Sequence, residues 1–336
     1  IMLNSDGPYA HMVPSSISIE NIDRSRLRYA MPALIRKLRR QKFNVVVSSL
    51  GYVNLAILAS RKFLPSSTKI IVREANMPSL SLPNGPRPRL MLWLYRHYYS
   101  RADVVVCTSR LMMNEMEEYI GVERSRLSLL SNPVDLERVR KNISISPRLK
   151  KDKIYFVASG RFTRQKGFDR LLEMFSALPA NYYLNILGDG PDRRLLELKI
   201  DKFELADRVS MPGFKENPWV YYAEADVFLM PSRWEGLPNA ALEALACGTP
   251  VIATMTGGMQ DQITDGSEYF GVGIKPASKA LIGSQMVPYI YEDRINKQDF
   301  FDLTWSYMLR CKENNIYVEP ERLDTWASHS RNRSDA

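Results

Sequence analysis

The chain has 336 residues, of which 45% are hydrophobic and 25% are charged, as in an ordinary folded globular protein. This length favours two domains, and no apolar run approaches the roughly 18 residues that a membrane-spanning helix needs. Three widely spaced cysteines argue against a disulfide framework, and neither they nor the three scattered histidines have metal-ligand spacing. We therefore expect a protein of the cytoplasm that needs no metal cofactor.

The positive charge is concentrated in one part of the chain. The formal net charge is +9, and residues 1–140 hold 21 Lys and Arg against 11 Asp and Glu. Such an excess favours an anionic partner: the phosphates of a lipid-linked acceptor, an acidic membrane surface or a nucleic acid. Because the sequence has no nucleic-acid-binding motif and no aromatic residues spaced for base stacking, we expect no nucleic-acid partner.

The first part of the chain predicts a parallel α/β sheet. Ile1–Asn4 is typical of the end of a strand, and a short strand is predicted near Ile17–Ile22. No complete strand–helix unit precedes them, so we expect this domain to be incomplete at its start. Short β-branched runs then predict buried strands at Val45–Ser49, Ile70–Arg73, Val104–Thr108 and Leu127–Leu130.

Two segments of this first part mix apolar and basic residues at helical spacing, Met31–Gln41 and Arg87–Tyr99. One interpretation is a helix with a core-facing apolar side and a solvated basic side. The other is a peripheral contact with the anionic inner face of the cell membrane.

A polar stretch with a proline, residues 141–152, predicts a domain boundary, and we divide the chain into residues 1–148 and 149–336. The second part again alternates strands with helices, which predicts two Rossmann-like, doubly wound parallel sheets. Its predicted strands are Ile154–Ala158, Leu184–Leu187, Val227–Met230 and Val251–Ala253. Its predicted helices are Phe168–Leu178, Arg193–Lys202 and Ala240–Cys247.

The strand that opens the second domain leads into Gly160 and Arg161, and Lys166 stands just before the next helix. Ligands of open α/β sheets bind beyond the carboxyl ends of the strands. Two cations beside a helix N-terminus suit a diphosphate, although they are also typical of a solvated loop. The next strand ends in Gly188-Asp189-Gly190-Pro191, which we interpret as a turn that shapes the cleft, with phosphate binding as the alternative.

The segment from Ser232 to Glu243 carries the most chemical information. A strand enters a loop that contains Glu235, and a helix is predicted to start near Asn239, a good N-cap residue. The amides of Gly236, Leu237 and Asn239 can point at an anion, with help from the helix dipole. Two carboxylates beside such a helix start suit a nucleotide sugar, with Glu235 at the sugar and Glu243 at the ribose. Complementing a helix dipole would explain one of them, but not both.

Residues 155–258 resemble the sugar-donor domain of the family 4 glycosyltransferases, which are retaining enzymes of the GT-B architecture. The matching text is SGRFTRQKGFDRLLE, NILGDGP, the long segment from MPGF to GTPVIAT, and TGG. More loosely, the strand that leads to Arg73-Glu74-Ala75-Asn76 and the Asn-Pro-Val-Asp turn resemble the family's N-terminal domain. The EGLPN text is most similar to enzymes that build bacterial surface polysaccharides. The resemblance implies two facing Rossmann-like domains, the first on the acceptor side and the second binding the donor.

The resemblance also implies roles for single residues. Arg161 and Lys166 match the pyrophosphate-binding pair, and Glu235 and Glu243 match the two glutamates of the Glu-x7-Glu motif. The remaining matches lie in loops: Gly213 and Phe214 beside the nucleobase, and Gly257 and Gly258 at the phosphate site.

The chain departs from the family pattern in three places. The N-terminal glycine-rich loop has no counterpart, Ala75 stands where many members have a histidine, and Gln260 and Asp261 replace a Pro-Glu pair. A histidine-dependent role near Ala75 is therefore in doubt, and contact of Asp261 with the sugar hydroxyls is expected to be altered.

The predicted function is transfer of a sugar from a nucleotide-diphosphate sugar, with uridine as the expected base, to a glycan or polyprenyl-diphosphate-linked acceptor. Since no Asp-x-Asp motif occurs, the leaving diphosphate would be neutralised by Arg161, Lys166 and the helix start. The absence of an obvious nucleophilic carboxylate favours same-face attack with retention. The alternative is a non-catalytic or truncated homologue that binds the nucleotide sugar or a partner without turnover.

Overall fold

The computed structural model describes residues 13–22, 24, 27–143, 153–254 and 256–259, and the backbone of 271–274. The chain divides into two compact units. The first comprises the residues up to Thr108 together with Met113–Leu129, and the second comprises Ser109–Met112 and the residues from Leu130 onward. The boundary predicted at residues 148–149, the strand end predicted at Ile1–Asn4, and Gln260 and Asp261 lie outside the described residues.

The first unit contains a parallel sheet of four strands in the order β1-β2-β3-β4. The strands are β1 Val45–Ser48, β2 Lys69–Arg73, β3 Val104–Cys107 and β4 Leu127–Leu129. The helices in this part of the chain are α1 Leu27–Gln41, α2 Gly51–Ala59, α3 Pro78–Ser81, α4 Pro88–Tyr98 and α5 Arg110–Glu115, the last continued by a π-helical turn to Ile120.

The second unit contains a parallel sheet of six strands in the order β10-β9-β8-β5-β6-β7. The strands are β5 Ile154–Ser159, β6 Tyr182–Leu187, β7 Val209–Gly213, β8 Val227–Met230, β9 Val251–Thr254 and β10 Gly271–Ile274. The helices are α6 Leu136–Asn142, α7 Phe168–Phe175, α8 Arg193–Lys202, α9 Trp219–Glu224 and α10 Asn239–Ala246.

Helices cover both faces of this second sheet, because its strands are apolar on both sides. One core packs α7 and α8 on the sheet through residues such as Leu171, Phe175 and Leu196. The other packs α6, α9 and α10 through Val139, Tyr222 and small side chains of α10 such as Ala241. The sheet is therefore doubly wound.

The strand order reverses between β5 and β8. The chain leaves β5 toward β6 on one side and returns to β8 on the other side of β5. A crevice for ligands forms at the carboxyl ends of the strands where the order reverses. The loops that leave β5 and β8 hold Gly160–Lys166 and Ser232–Glu235, so the topology brings these two predicted segments together.

The predicted fold class is confirmed in that the chain forms two parallel α/β sheets, and the reversal of strand order is observed in the second. Helix α8 has the predicted bounds, and strands β1 to β4 agree with the prediction to within one residue at each end. The strand predicted near Ile17–Ile22 is reduced to a single β-bridge residue, Asn21, and a turn in which Ile17 N–H donates to Pro14 O precedes it. Strands β7 and β10 were not predicted, because glycines and a proline interrupt their apolar pattern.

Candidate functional site

Lys166 and Glu235 form an ion pair at the carboxyl ends of β5 and β8. Lys166 Nζ donates a hydrogen bond to Glu235 Oε1 at 2.6 Å, and the side chains are only 20% and 7% exposed. The Ser232 hydroxyl donates to the same oxygen at 2.7 Å. Glu235 Oε2 accepts no hydrogen bond from the described residues, so it remains available to a hydroxyl donor of a ligand.

Gly160 lies against the stem of Lys166. A Cβ built on Gly160 would lie 3.0 Å from Lys166 Cε, so a side chain there would press on the lysine. The neighbouring Arg161 is exposed, and its guanidinium makes no hydrogen bond or ion pair with any described residue. The two predicted cations therefore differ, because Lys166 is held by Glu235 and Arg161 points to no protein partner among the described residues.

Helix α10 starts beside this ion pair with backbone donors that no described residue accepts from. The N–H groups of Gly236, Leu237 and Asn239 donate to no other described residue. Unused donors at a helix start attract an anion. The predicted N-cap role of Asn239 is wrong, because Pro238 occupies the N-cap position and the Asn239 carboxamide oxygen accepts from Asn132 Nδ2 at 2.6 Å.

Asn132 fastens the Asn-Pro-Val-Asp turn to the start of α10. Its Nδ2 also donates to Leu237 O at 2.7 Å. Leu237 and Asn239 are therefore positioned by a residue more than a hundred positions earlier in the sequence. The sequence predicts the turn but not its contact with α10, so Asn132 was not expected to be a residue of the site.

Gly257 and Gly258 pack directly on the backbone of the Glu235 loop. Gly258 N–H donates to Gly236 O at 2.6 Å. Gly257 has φ +60, and a Cβ built on it would lie 2.1 Å from Glu235 O. Such a contact is impossible for any larger residue, so the two glycines set the position of the loop that carries Glu235.

Glu243 lies in α10 and is held by a residue that sequence reasoning missed. Trp219 Nε1 donates to Glu243 Oε2 at 3.2 Å, and the Arg138 guanidinium lies 5.3 Å from the Trp219 ring centroid. Burial raises the pKa of the Glu243 carboxyl, against the hydrogen bond from Trp219 and the charge of Arg138, which both lower it. Trp219, the first residue of α9, carried no signal for this role in the sequence.

The loop after β7 contains the residues matched to the nucleobase. Gly213 ends the strand with φ +84, and its carbonyl accepts from Gly188 N–H at 3.0 Å. Phe214 follows with 48% of its surface exposed. Gly188, which follows β6, packs against the loop after β5, since a Cβ built on Gly188 would lie 2.0 Å from Gly160 O. The Gly188 loop thus packs against the β5 loop, consistent with a shaping role.

The structure therefore joins most of the predicted residues into two connected groups. One group contains the β5 and β8 loops, the start of α10 and the two glycines after β9. The other contains Glu243 with Trp219 and Arg138. Among the described residues, no group of three or more His, Cys, Asp or Glu could hold a metal ion.

Solved structures of similar fold identify the architecture of the chain. The Anabaena HepE structure in complex with UDP has a TM-score of 0.66 and 15% identity, and the alignment covers 90% of this chain and 78% of that one. The lipopolysaccharide outer core galactosyltransferase WaaB has a TM-score of 0.59 and 19% identity, with 82% and 75% covered. The chain has the two-domain GT-B fold that the sequence predicts.

Two family models match the chain in succession. "Glycosyltransferase Family 4" matches residues 5–138, and "Glycosyl transferases group 1" matches residues 139–285. Both models describe glycosyltransferases and together they match residues 5–285, so the chain belongs to the glycosyltransferases.

Relatives of similar sequence carry glycosyltransferase names. An uncharacterized glycosyltransferase of Methanocaldococcus jannaschii is 27% identical over 290 residues, 78% of this chain and 71% of that protein. A Campylobacter jejuni protein, N-acetylgalactosamine-N,N'-diacetylbacillosaminyl-diphospho-undecaprenol 4-alpha-N-acetylgalactosaminyltransferase, is 25% identical, with 67% and 62% covered. The Rhizobium meliloti lipopolysaccharide core biosynthesis glycosyltransferase LpsE is 31% identical, with 54% and 52% covered.

Proposed function

We propose that this chain is a retaining glycosyltransferase that moves a hexosyl group from a UDP-sugar to a glycan or lipid-linked acceptor in the synthesis of a surface polysaccharide. The observation that carries the proposal is the Lys166–Glu235 pair beside the unused amides of α10. The cation and the backbone amides suit the diphosphate of a nucleotide sugar, and the neighbouring carboxylate suits the hydroxyl groups of its sugar. The names of the lipopolysaccharide and diphospho-undecaprenol relatives support this acceptor class.

The positive groups of the site would act on the departing diphosphate. Arg161 and Lys166, with the amides of Gly236 and Leu237, offset the negative charge that develops as the sugar–phosphate bond breaks. Since these groups are preorganised, we propose that no metal ion is required. Turnover that is unchanged by a chelator is the expected result, and loss of turnover that Mg²⁺ or Mn²⁺ restores would contradict it.

The two glutamates would bind hydroxyl groups. Glu235 Oε2 accepts from the sugar while Oε1 stays with Lys166, and Glu243 Oε1 accepts from the ribose while Oε2 stays with Trp219. Glu235 is held by Lys166 and Ser232, so we assign it to positioning the sugar rather than to forming a covalent bond with it. The acceptor oxygen then attacks from the face that the diphosphate leaves, and its proton passes to a phosphate oxygen.

The test is a thermal-shift screen against UDP- and GDP-sugars, followed by measurement of UDP release in the presence of bacterial lipid extract. Stabilisation by a UDP-sugar with release of UDP is the expected result. Stabilisation without release favours the non-catalytic alternative. No response to any nucleotide sugar would overturn the proposal.

We also propose a peripheral contact with the cytoplasmic face of a membrane, through α4. No helix in the described part of the chain is long and apolar enough to span a bilayer. The two basic segments singled out in the sequence differ in structure, because α1 turns its Ala30, Leu34 and Leu38 inward to the core. Helix α4 instead exposes 45% of Leu90 and 56% of Trp93.

Basic residues surround the exposed apolar side of α4. Arg87, Arg89 and Arg96 are exposed on or beside this helix, and the Trp93 ring stacks on His97 with centroids 5.1 Å apart. An exposed tryptophan flanked by arginines fits the boundary between headgroups and acyl chains of an anionic bilayer. A lipid-linked acceptor would be presented at such a surface.

A further inference from the structure

Arg233, in the loop after β8, forms a bidentate ion pair with Asp169, in the first turn of α7, and their side chains are 6% and 25% exposed. Arg233 Nη1 donates to Asp169 Oδ1 and Arg233 Nη2 donates to Asp169 Oδ2, both at 2.7 Å. Arg233 is only 5% exposed. This planar two-bond geometry fixes orientation as well as distance, which a single lysine bond does not.

Further bonds from the same loop join the same two segments. Arg233 Nη1 donates to Arg164 O at 2.8 Å, and Arg233 N–H donates to Gln165 O at 2.7 Å. In return, Gln165 Nε2 donates to Trp234 O at 3.0 Å. Hydrogen bonds at Arg233 and Trp234 thus join the 3₁₀ turn Arg164–Lys166 after β5 to the loop after β8.

The ion pair stays charged inside the protein. Burial alone raises the pKa of the Asp169 carboxyl, but the hydrogen bonds and charge of Arg233 outweigh this effect, and the pKa lies below its usual value. A buried ion pair adds little net stability compared with well-packed apolar side chains. What it supplies here is a fixed geometry between the loop after β8 and the start of α7.

Lys166 directly follows Gln165, and Glu235 stands two residues after Arg233. We propose that Arg233 and Asp169 are positioning residues that set the distance between Lys166 and Glu235, so that the cation for the diphosphate and the carboxylate for the sugar meet one donor molecule in a fixed geometry. This inference rests on the proposed function. Misplacement of reacting groups by an ångström lowers the rate of the chemical step more than it weakens binding.

The experiment compares Arg233→Lys and Asp169→Asn with the unmodified chain, using the UDP-sugar identified by the thermal-shift screen. For each protein, kcat and KM are measured from UDP release with water or lipid extract as the acceptor. We expect kcat to fall about 10- to 100-fold with KM changed less than about threefold, because Arg161 and the α10 amides still bind the diphosphate.

A matched control is Arg208→Lys. Arg208 also ties backbone carbonyls, those of Ser176, Leu178 and Pro179, but beyond the opposite end of α7. It should lower the thermal midpoint without lowering kcat at a temperature where the variant is folded. An equal fall in kcat for Arg208→Lys would show a general effect of lost stability and would overturn the inference.

A second measurement tests whether the Arg233–Asp169 ion pair acts through Lys166. In a Lys166→Ala background, Arg233→Lys should change the remaining rate less than about twofold, because the group it positions is absent. A full additional loss in that background, or a normal kcat for both single variants in an active enzyme, contradicts the inference alone. Absence of nucleotide-sugar binding by the unmodified chain contradicts the proposed function, and the inference with it.

Discussion

Lys166 Nζ lies 2.6 Å from Glu235 Oε1, so the group proposed to bind the diphosphate is paired with the group proposed to bind the sugar. Lys166→Ala removes the cation and leaves a carboxylate that is 7% exposed without its ion partner. We expect turnover to fall about 10²- to 10³-fold and the thermal midpoint to fall as well. Both are measured on the same preparation, by UDP release and by a thermal melt.

Arg161→Ala separates the effect on turnover from the effect on stability, because this guanidinium has no partner among the described residues. We expect a comparable loss of turnover with an unchanged melt. Arg194→Ala, on the exposed side of α8, is the control that should change neither. Near-normal rates for Arg161→Ala and Lys166→Ala would remove both residues from the mechanism.

Gly257→Ala tests whether the glycine holds the Glu235 loop in place. The new Cβ would lie 2.1 Å from Glu235 O, so the loop has to move and donor binding should weaken about tenfold or more. Gly121→Ala is a matched control, since Gly121 has φ +89 but nothing within 4 Å of the built Cβ. Calorimetry of UDP binding compares the two variants, and equal affinities would show that Gly257 does not hold the Glu235 loop in its binding position.

Trp219→Phe should move the pH dependence of donor binding. The Trp219 hydrogen bond favours ionised Glu243, so its loss raises the pKa of this carboxyl further. Only the ionised form accepts hydrogen bonds from both ribose hydroxyls. We expect affinity to fall on acidification, and to fall at a higher pH in the variant.

UDP-glucose suits this measurement because its diphosphate does not titrate between pH 5 and 8. Glu243→Gln should bind more weakly and lose this pH dependence. Superimposable profiles for Trp219→Phe and the unmodified chain would place Glu243 outside the binding step.

Glu115→Gln tests a buried acid of the first unit. Glu115 is 3% exposed and accepts from Ser79 N–H and Oγ, yet burial raises the pKa of its carboxyl to about 7. The folded state therefore keeps a proton that the unfolded state loses near pH 4.5, so stability falls as the pH rises from 4.5 through 7.

Between pH 4.5 and 8 the unmodified chain should lose roughly 3 kcal/mol of unfolding free energy relative to Glu115→Gln. Urea titrations of both proteins at the two pH values measure this difference. A difference that is independent of pH would show that Glu115 is ionised in the folded protein.

Trp93→Ser tests the membrane contact proposed for α4. We expect the fraction that floats with anionic liposomes to fall about tenfold, because the apolar group that enters the interface is lost. Phe63→Ser, another exposed aromatic of the first unit, is the control that should float normally. Equal flotation of all three proteins with anionic and neutral vesicles would exclude α4 as the contact.

The sequence was sufficient for eight of the ten described strands and for the residues with charge or glycine signatures. Buried parallel strands are continuous apolar runs, and Lys166, Glu235 and Glu243 stand at fixed spacings in a recognisable motif. Partners that are remote in sequence could not be predicted in this way. Trp219 for Glu243 and Asn132 for Asn239 depend on which helices become neighbours, and that follows from packing.

Asn239 shows how tertiary contacts override a local rule. Asparagine is a favoured N-cap, and the pattern predicted this role. In the structure its carboxamide oxygen accepts from Asn132, so the side chain joins two segments instead of capping its own helix. A local preference worth about 1 kcal/mol yields readily to such a contact.

The reversal of strand order between β5 and β8 also has a consequence for how the protein is made. Lys166 and Glu235 are 69 residues apart, and they become neighbours only after β8 has paired with β5. Pairing over such a separation is slow compared with the formation of local turns and helices. During synthesis the chain therefore has no nucleotide site until Glu235 has left the ribosome. The onset of UDP binding would show when β8 has paired with β5.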